Sequence, residues 1–169
     1  MIFNEFKGKT ILITGGSSGI GKSLALNMLQ SGAMVGVISN SEEELDAMPG
    51  EILTFHTDIR DRLAVNEAVK KFQKKTGKID MLVNSAGVSL WKDFLDMDDE
   101  FWDLIYDVNV KGTFHVSQAV AKYMIQQQSG IIINVASMSG LKSGMPGASA
   151  YMSSKWAIVG LSRNLHLEL

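Results

Sequence analysis

The chain has 169 residues, 46% of them hydrophobic and 20% charged, with a formal net charge of −2. This length and this balance are typical of one globular domain and predict a single domain over residues 1–169. The near-neutral charge excludes the basic surface expected of a protein that binds nucleic acid or anionic membranes, and the absence of cysteine excludes disulfides and thiolate metal sites.

Hydrophobic periodicity predicts short strands that alternate with helices along the chain. The predicted strands cover residues 10–13, 34–39, 52–55, 79–83 and 131–135. The predicted helices cover residues 20–30, 42–47, 60–75, 99–128 and 150–169. Apolar strands in this alternating order predict a parallel sheet covered by helices on both faces. The segment 141–149, rich in Gly, Ser and Pro, is predicted to be a loop.

The N-terminal segment and the histidines limit the location and the chemistry further. The first apolar run, at 11–13, is too short for a signal peptide or a membrane span. His56, His115 and His166 are too scattered to suggest a metal cluster. A cytoplasmic protein without a metal site is therefore the expectation, which the lack of cysteine supports.

A glycine-rich turn joins the first predicted strand to the first predicted helix, with the sequence Thr-Gly-Gly-Ser-Ser-Gly-Ile-Gly at 14–21. Gly15 permits a tight turn, Gly19 lets the backbone approach a pyrophosphate, and Gly21 allows close packing of the helix on the sheet. The amide groups at the start of the helix favour an anion. A P-loop is disfavoured because Lys22 and Ser23 do not have its spacing. The turn therefore predicts a dinucleotide site.

Tyr151 and Lys155 are four residues apart near the start of the last predicted helix, and Ser137 precedes the tyrosine by fourteen residues. Positions i and i+4 share one face of a helix, so the phenol and the ammonium can point into the same space. A neighbouring cation favours the phenolate and lowers the pKa of a phenol. The pair is therefore a candidate proton-transfer device, although the spacing alone also occurs on surface helices.

These motifs together resemble the short-chain dehydrogenase/reductase family, in particular its compact single-domain branch. The resemblance is carried by the glycine-rich turn, by Asp58-Ile59, by the segment Asn84-Ser85-Ala86-Gly87, and by the residues Asn109, Ser137, Tyr151 and Lys155. It spans essentially the whole chain, in the family's order. It implies a Rossmann-type, doubly wound parallel sheet and an NAD(P)-dependent oxidoreductase that acts on a small ketone or secondary alcohol.

The resemblance also implies a role for each catalytic residue. Tyr151 would be the general acid in carbonyl reduction and the general base in alcohol oxidation. Ser137 would hydrogen-bond the substrate oxygen, and Lys155 would lower the pKa of the phenol and bind the nicotinamide ribose. Asn109 would maintain a water-linked proton path from Lys155.

The cofactor site implied by the resemblance has two parts. Asp58 would receive the adenine amino group, Ile59 would lie along the adenine ring, and the turn at 84–87 would lie against the adenine ribose. The complete predicted set of cofactor-binding residues is Gly15, Ser17, Ser18, Gly19, Ile20, Gly21, Ser39, Asn40, Asp58, Ile59, Asn84, Ala86, Gly87, Tyr151 and Lys155.

The choice between NAD and NADP depends on the end of the second strand. An acidic residue there binds the ribose hydroxyls of NAD, whereas a basic residue accommodates the phosphate of NADP. Ser39, Asn40 and Ser41 are neither acidic nor basic. Since no carboxylate would repel the phosphate and small polar groups could bind it, the sequence favours NADP.

Two departures from the family pattern modify these expectations. The spacing from Ser137 to Tyr151 is one residue longer than usual, which places an extra residue in the substrate loop at 142–147. Family members also continue past the last helix with further strands and a substrate lid, so this chain is expected to be truncated and to show little turnover. A non-catalytic nucleotide-binding sensor is the alternative.

Self-association is also expected. Apolar residues lie on more than one face of the predicted helices at 99–128 and 150–169, for example Phe114 and Trp156. The family commonly pairs these helices across a twofold axis, which predicts a homodimer or homotetramer.

Overall fold

Five parallel strands form one sheet in the order β3-β2-β1-β4-β5. The computed structural model describes residues 4–138 and 144–169. The strands are β1 (Thr10–Thr14), β2 (Met34–Ser39), β3 (Leu53–His56), β4 (Met81–Asn84) and β5 (Ile131–Asn134). The strand order reverses between β1 and β4, which in sheets of this kind opens a crevice at the carboxyl ends of the two strands.

Six α-helices accompany the sheet in the described part of the chain: α1 (Gly19–Gln30), α2 (Glu42–Asp46), α3 (Arg62–Thr76), α4 (Asp99–Tyr106), α5 (Thr113–Gln127) and α6 (Ser149–Glu168). A π-helical turn, Asp107–Gly112, joins α4 to α5, and 3₁₀ turns occur at Asn4–Phe6 and Phe94–Asp96. None of the helices in the described segments is both long and apolar enough to cross a membrane.

The sheet is covered on both faces because its side chains alternate between two separate cores. On one face Ile11 and Ile13 of β1 pack with the buried residues of α1 and α2. On the other face Leu12 packs with the buried residues of α3 and α5, among them Phe72. This arrangement confirms the predicted doubly wound parallel fold.

The predicted helix at 99–128 is interrupted in the structure. The backbone forms π-helical hydrogen bonds over Asp107–Gly112, where Gly112 lies against Ile59: a Cβ atom on Gly112 would come within 2.6 Å of that side chain. A π turn inserts one residue into the helical register and often marks a functional position. Periodicity alone could not indicate it, since the residues on either side are helical.

The remaining element boundaries differ by one or two residues from the predicted ones, which is the usual fraying of ends. The predicted strand at 79–83 begins at Met81 in the structure, and just before it the backbone N–H of Asp80 donates to the carbonyl oxygen of Thr10 at the start of β1. The predicted loop at 141–149, with its extra residue at 142–147, lies partly outside the described residues, and α6 begins within it at Ser149.

β5 lies at one edge of the sheet, and its two faces differ in how much they are exposed. Ile132 packs on the core of α3 and α5, whereas Ile131 and Ile133 are 54% and 44% exposed. A groove of about 590 Å³ opens between α5, β5 and α6 and is lined by Gly130 and Ile131 at the start of β5. The groove follows β5 along its length, since Asn134 at the carboxyl end of the strand also lines it.

Candidate functional site

The glycine-rich turn follows β1 directly and is fitted to the neighbouring turn after β4. Gly15 has a φ of 62°, and a Cβ atom there would lie 2.7 Å from the Cα atom of Ala86. A Cβ atom on Gly21 would lie 2.3 Å from the carbonyl oxygen of Gly15. Both positions therefore require glycine for close approach within the protein, as predicted.

Gly19 differs from the other two glycines of this motif. It has a φ of 50°, and, apart from its chain neighbours and the backbone of its own helix, no atom of the described residues lies within 4 Å of the place where its Cβ atom would be. Ser18 precedes the helix without a side-chain capping bond, and Ile20 is 72% exposed. An open glycine at the start of α1 leaves room for a ligand near the helical amide groups.

Thr14 links the two turns. Its side-chain oxygen accepts hydrogen bonds of 3.1 Å from the backbone N–H groups of Ser85 and Ala86. The backbone N–H of Gly15 in turn donates to the carbonyl oxygen of Ile38, at 2.8 Å. The segments after β1, β2 and β4 are thus fixed to one another at the carboxyl edge of the sheet.

Asn84 has a packing role that the sequence did not indicate. Its side-chain nitrogen donates to Ser117 of α5 at 2.9 Å and to Asn134 of β5 at 2.8 Å, and Asn134 donates to Ser162 of α6. The side-chain oxygen of Asn84 is buried without a partner among the described residues. The Asn84 side chain is therefore directed toward α5 and α6, and its hydrogen bonds anchor the start of the turn at 84–87.

Asp58 and Ile59 follow β3 at the same edge, but both side chains already have partners. The Asp58 carboxylate accepts three hydrogen bonds from the Arg60 side chain, the shortest 2.6 Å, and these bonds hold the pKa of Asp58 below its usual range. The Ile59 side chain is 6% exposed and packs on Gly112. The contact of Ile59 with an adenine ring stays a prediction.

Asn109, within the π turn, connects three segments of the site. Its side-chain oxygen accepts from the backbone N–H of Val88 at 2.8 Å, and its nitrogen donates to the carbonyl oxygen of Val88 and to the Ser154 hydroxyl, both at 3.0 Å. Its backbone carbonyl accepts from the Thr113 hydroxyl at 2.8 Å. The residue is 1% exposed. Asn109 therefore holds the loop after β4 against α6.

Tyr151 and Lys155 lie on one face of α6, as their spacing predicted. The Lys155 ammonium lies 5.8 Å from the centre of the Tyr151 ring and donates to the carbonyl oxygen of Val135, just beyond β5, at 3.0 Å. Lys155 is only 7% exposed, and this burial lowers the pKa of its side chain below the usual range for lysine. Tyr151 is half-buried.

Gly87 brings the two parts of the site together. A Cβ atom on Gly87 would lie 3.1 Å from the side-chain oxygen of Asn109 and 3.6 Å from the Lys155 nitrogen. Ser154 adds a further link, since its hydroxyl donates to the carbonyl oxygen of Tyr151 at 2.6 Å. Ser137 is half-buried two residues after Val135. The catalytic residues that the sequence predicted therefore come from the π turn, the segment after β5 and α6.

Two polar residues of this region were missed by the sequence analysis. Ser154 bonds both Asn109 and Tyr151, and its position directly before Lys155 is the signal that could have indicated it. Glu44 of α2 bonds Ser17 of the glycine-rich turn at 2.6 Å. Its only sequence signal is the spacing of a helix-capping motif with Ser41, which points to a different contact. Among the residues that the structure describes, no group of acidic, histidine or cysteine side chains could hold a metal ion.

Comparison with known proteins identifies the family. The family model for short chain dehydrogenases matches residues 9–169. The 3-oxoacyl-[acyl-carrier-protein] reductase FabG of Thermotoga maritima is 39% identical over 172 residues, which cover 98% of this chain and 70% of that protein. The chain therefore belongs to the short-chain dehydrogenase/reductase family, whose members are oxidoreductases.

Solved structures agree with this conclusion. NAD⁺-bound xylitol dehydrogenase is 32% identical with a TM-score of 0.93, over 97% of this chain and 66% of that one. ElxO with NADP bound is 33% identical with a TM-score of 0.89, over 95% of this chain and 67% of that one. The chain spans 70% of the length of that FabG and 65% of the length of the oxidoreductase UcpA of Salmonella typhimurium, which is also 39% identical.

Proposed function

We propose that this chain is the dinucleotide-binding and proton-transfer part of a nicotinamide-dependent oxidoreductase that acts on a ketone or a secondary alcohol. The observation that carries the proposal is the arrangement of Tyr151 and Lys155 on α6 with Asn109 and Gly87 beside them. Such a phenol and buried ammonium at the carboxyl edge of a parallel sheet fit proton transfer next to a bound dinucleotide.

The residues at this edge fit a dinucleotide. The glycine-rich turn is open at Gly19, directly before the amide groups of α1, and the close contact of Gly15 with Ala86 shapes the adjoining surface. Asp58, Asn40 and the backbone of residues 86–87 belong to the same edge. A nicotinamide dinucleotide would supply or accept the hydride. The two neighbours described above hold different forms of this cofactor, NAD⁺ in one and NADP in the other.

Proton transfer is assigned to the Tyr151 hydroxyl. It would give its proton to a carbonyl oxygen in reduction and take one from an alcohol in oxidation, while the hydroxyl of Ser137 would hydrogen-bond the same oxygen. Lys155 supplies positive charge near the phenol, since its nitrogen lies 5.8 Å from the ring centre. Asn109 acts as a positioning residue in this scheme, because both polar ends of its side chain are already bonded to protein.

Tyr151→Phe tests the assignment because it removes the hydroxyl and keeps the ring. Dinucleotide binding, followed by the quenching of tryptophan fluorescence, is expected to remain, whereas oxidoreduction of a panel of ketones and alcohols is expected to fall roughly 10²- to 10⁴-fold. Activity should be measured on the 169-residue chain.

Tyr123→Phe is the matched control, since Tyr123 packs against the core of α3 and α5 rather than at the carboxyl edge. Equal loss of activity in both variants would contradict the role of Tyr151. Dinucleotide binding without any turnover in the wild-type chain would instead support the nucleotide-binding sensor.

Self-association into a homodimer or homotetramer is part of the proposal. Phe114 of α5 and Trp156 of α6 are 38% and 49% exposed. Large apolar side chains exposed on two helices of the same face support an interface between copies of the chain.

A further inference from the structure

A short chain of hydrogen bonds joins the glycine-rich turn to the end of β2 and to α2. The Ser17 hydroxyl oxygen lies 2.7 Å from the Ser39 hydroxyl oxygen and 2.6 Å from a carboxylate oxygen of Glu44. Ser17 and Ser39 are only 2% and 8% exposed, so water does not compete strongly for their hydroxyl groups. Ser39 also accepts from the backbone N–H of Ser41 at 3.2 Å.

The direction of these bonds follows from the charge of Glu44. A carboxylate can only accept, so the single proton of the Ser17 hydroxyl goes to Glu44. Ser17 must then accept the proton of Ser39. Both hydroxyl protons are therefore used within the protein, and neither is free to bind a phosphate.

Glu44 is available for this contact because the usual capping arrangement is broken. In a Ser-x-x-Glu motif the glutamate normally accepts from the backbone N–H of the serine. Here Ser41 caps α2 by accepting from the backbone N–H of Glu44, but its own N–H bonds Ser39 instead. The Glu44 side chain is thereby released to reach Ser17, 27 residues earlier in the chain.

We propose that Glu44 is the residue that selects the cofactor, and that this chain binds NAD(H) in preference to NADP(H). The proposal rests on the proposed function, since it concerns the dinucleotide of that site. Ser39 ends β2, where an acidic side chain would bind the ribose hydroxyls of NAD. The fold places the Glu44 carboxylate two hydrogen bonds from Ser39, although the sequence has no acid there.

Charge makes this arrangement unfavourable for NADP. The additional phosphate carries a charge of about −1.5 to −2 near neutral pH and would meet the Glu44 carboxylate. His56, which ends β3, pairs with Ser39 in the sheet, and its Nε2 atom already lies 3.2 Å from the carbonyl oxygen of Asn40. The ribose hydroxyls of NAD are neutral donors, which a carboxylate accepts readily. The preference is therefore opposite to the one that the sequence alone favoured.

Glu44→Gln tests the proposal because it removes the charge and keeps an acceptor for Ser17. Dissociation constants for NAD⁺ and NADP⁺ would be measured by titration calorimetry, together with those of ADP-ribose and its 2′-phosphate, which lack the nicotinamide. The wild-type chain is expected to bind NAD⁺ at least about tenfold more tightly, and Glu44→Gln to narrow this ratio about tenfold, chiefly through tighter binding of NADP⁺.

Glu43→Gln is the control, since it removes the same charge from an exposed neighbour on α2. The ratio of the dissociation constants for NAD⁺ and NADP⁺ should be the same in Glu43→Gln as in the wild type. Added salt should narrow the ratio in the wild type and not in Glu44→Gln, because screening weakens charge repulsion.

Three other outcomes are informative. A wild-type preference for NADP⁺ would overturn the proposal. So would an unchanged ratio in Glu44→Gln accompanied by lower thermal stability, because Glu44 would then serve only to attach α2 to the glycine-rich turn. If the wild type binds neither dinucleotide nor ADP-ribose, the proposed function fails rather than the role of Glu44.

Discussion

Lys155 is buried, which opposes its charge, although its ammonium donates a hydrogen bond to the carbonyl oxygen of Val135. Burial lowers its pKa in the folded protein relative to the unfolded chain. Between the two pKa values the unfolded chain holds the proton that the folded protein has lost, so the folded state becomes relatively more stable as the pH rises through that window. The same shift makes the lysine a readier proton donor in the site.

Lys155→Met tests whether the burial of Lys155 makes the stability of the protein depend on pH in this way. The free energy of unfolding would be determined by urea denaturation at several pH values from neutral to about the unperturbed lysine pKa, near 10.4. The difference, wild type minus Lys155→Met, is expected to increase as the pH rises. Lys122→Met is the control, because it removes an exposed lysine of α5 rather than a buried one. A difference that stays constant with pH would show that burial does not depress the pKa of Lys155.

Asn109 is buried and satisfies the backbone of Val88 and the hydroxyl of Ser154. Asn109→Ala leaves these groups unpaired, and each buried unsatisfied group costs about 1 to 3 kcal/mol. We expect a loss of about 2 to 4 kcal/mol in the free energy of unfolding, measured by urea denaturation. Asn164→Ala, at an exposed position of α6, should change it by less than about 0.5 kcal/mol. Equal effects would contradict the role of Asn109 as a connection between segments.

At the scale of an element, the π turn between α4 and α5 positions Asn109. Gly112 ends this turn and lies against Ile59, which follows β3. The close approach leaves no space for a side chain on Gly112. The turn is thus fixed by a contact with the sheet layer as well as by its own hydrogen bonds.

Gly112→Ala is expected to destabilise the protein by about 1 to 3 kcal/mol, because its Cβ atom would lie 2.6 Å from Ile59. Adding Ile59→Ala should relieve the overlap, so that the two changes together cost less than the sum of the single changes in a double-mutant cycle. Gly160→Ala is the control: Gly160 lies exposed in α6 with no protein atom near the site of a Cβ, and this change should stabilise the helix by about 0.5 to 1 kcal/mol. If the destabilisations by Gly112→Ala and Ile59→Ala simply add, the contact between Gly112 and Ile59 would be contradicted.

The order of the strands and helices was largely predictable from the hydrophobic periodicity of the sequence. The strands and helices occur in the expected order because apolar strands buried on both faces and amphipathic helices have distinct patterns. The π turn was not predictable, since helical residues surround it and a contact far along the chain, with Ile59, determines where the register changes.

At the scale of the whole molecule, α5 and α6 expose apolar side chains on the face opposite α1 and α2. We expect the chain to form dimers through this face. Sedimentation velocity at micromolar concentration should give the mass of a dimer, and Trp156→Glu should shift it toward the monomer, because a buried unpaired charge is costly. Leu63→Glu, at a more exposed apolar position of α3, should leave the mass unchanged. A monomeric wild type would contradict the expectation.

The carboxyl edge of the sheet gathers its residues from distant parts of the sequence. Gly87, Asn109 and Lys155 come from the turn after β4, the π turn and α6, yet they meet within about 4 Å. Their types were readable from the sequence, and so was the spacing of Tyr151 and Lys155, because i and i+4 residues share a helix face whatever the helix packs against.

The sequence by itself determined the sheet, the glycine-rich turn and the placement of Tyr151 and Lys155 on one helix face, since each depends on local spacing or on the period of burial. Only the tertiary structure decided which polar groups remain available. In the folded chain the Asn84 side chain donates to Ser117 of α5, and the Asp58 carboxylate accepts from Arg60. The Glu44 carboxylate accepts from Ser17. These partners are set by how helices and strands pack, and hydrogen-bonding groups far apart in sequence carry no local signal of where they will meet.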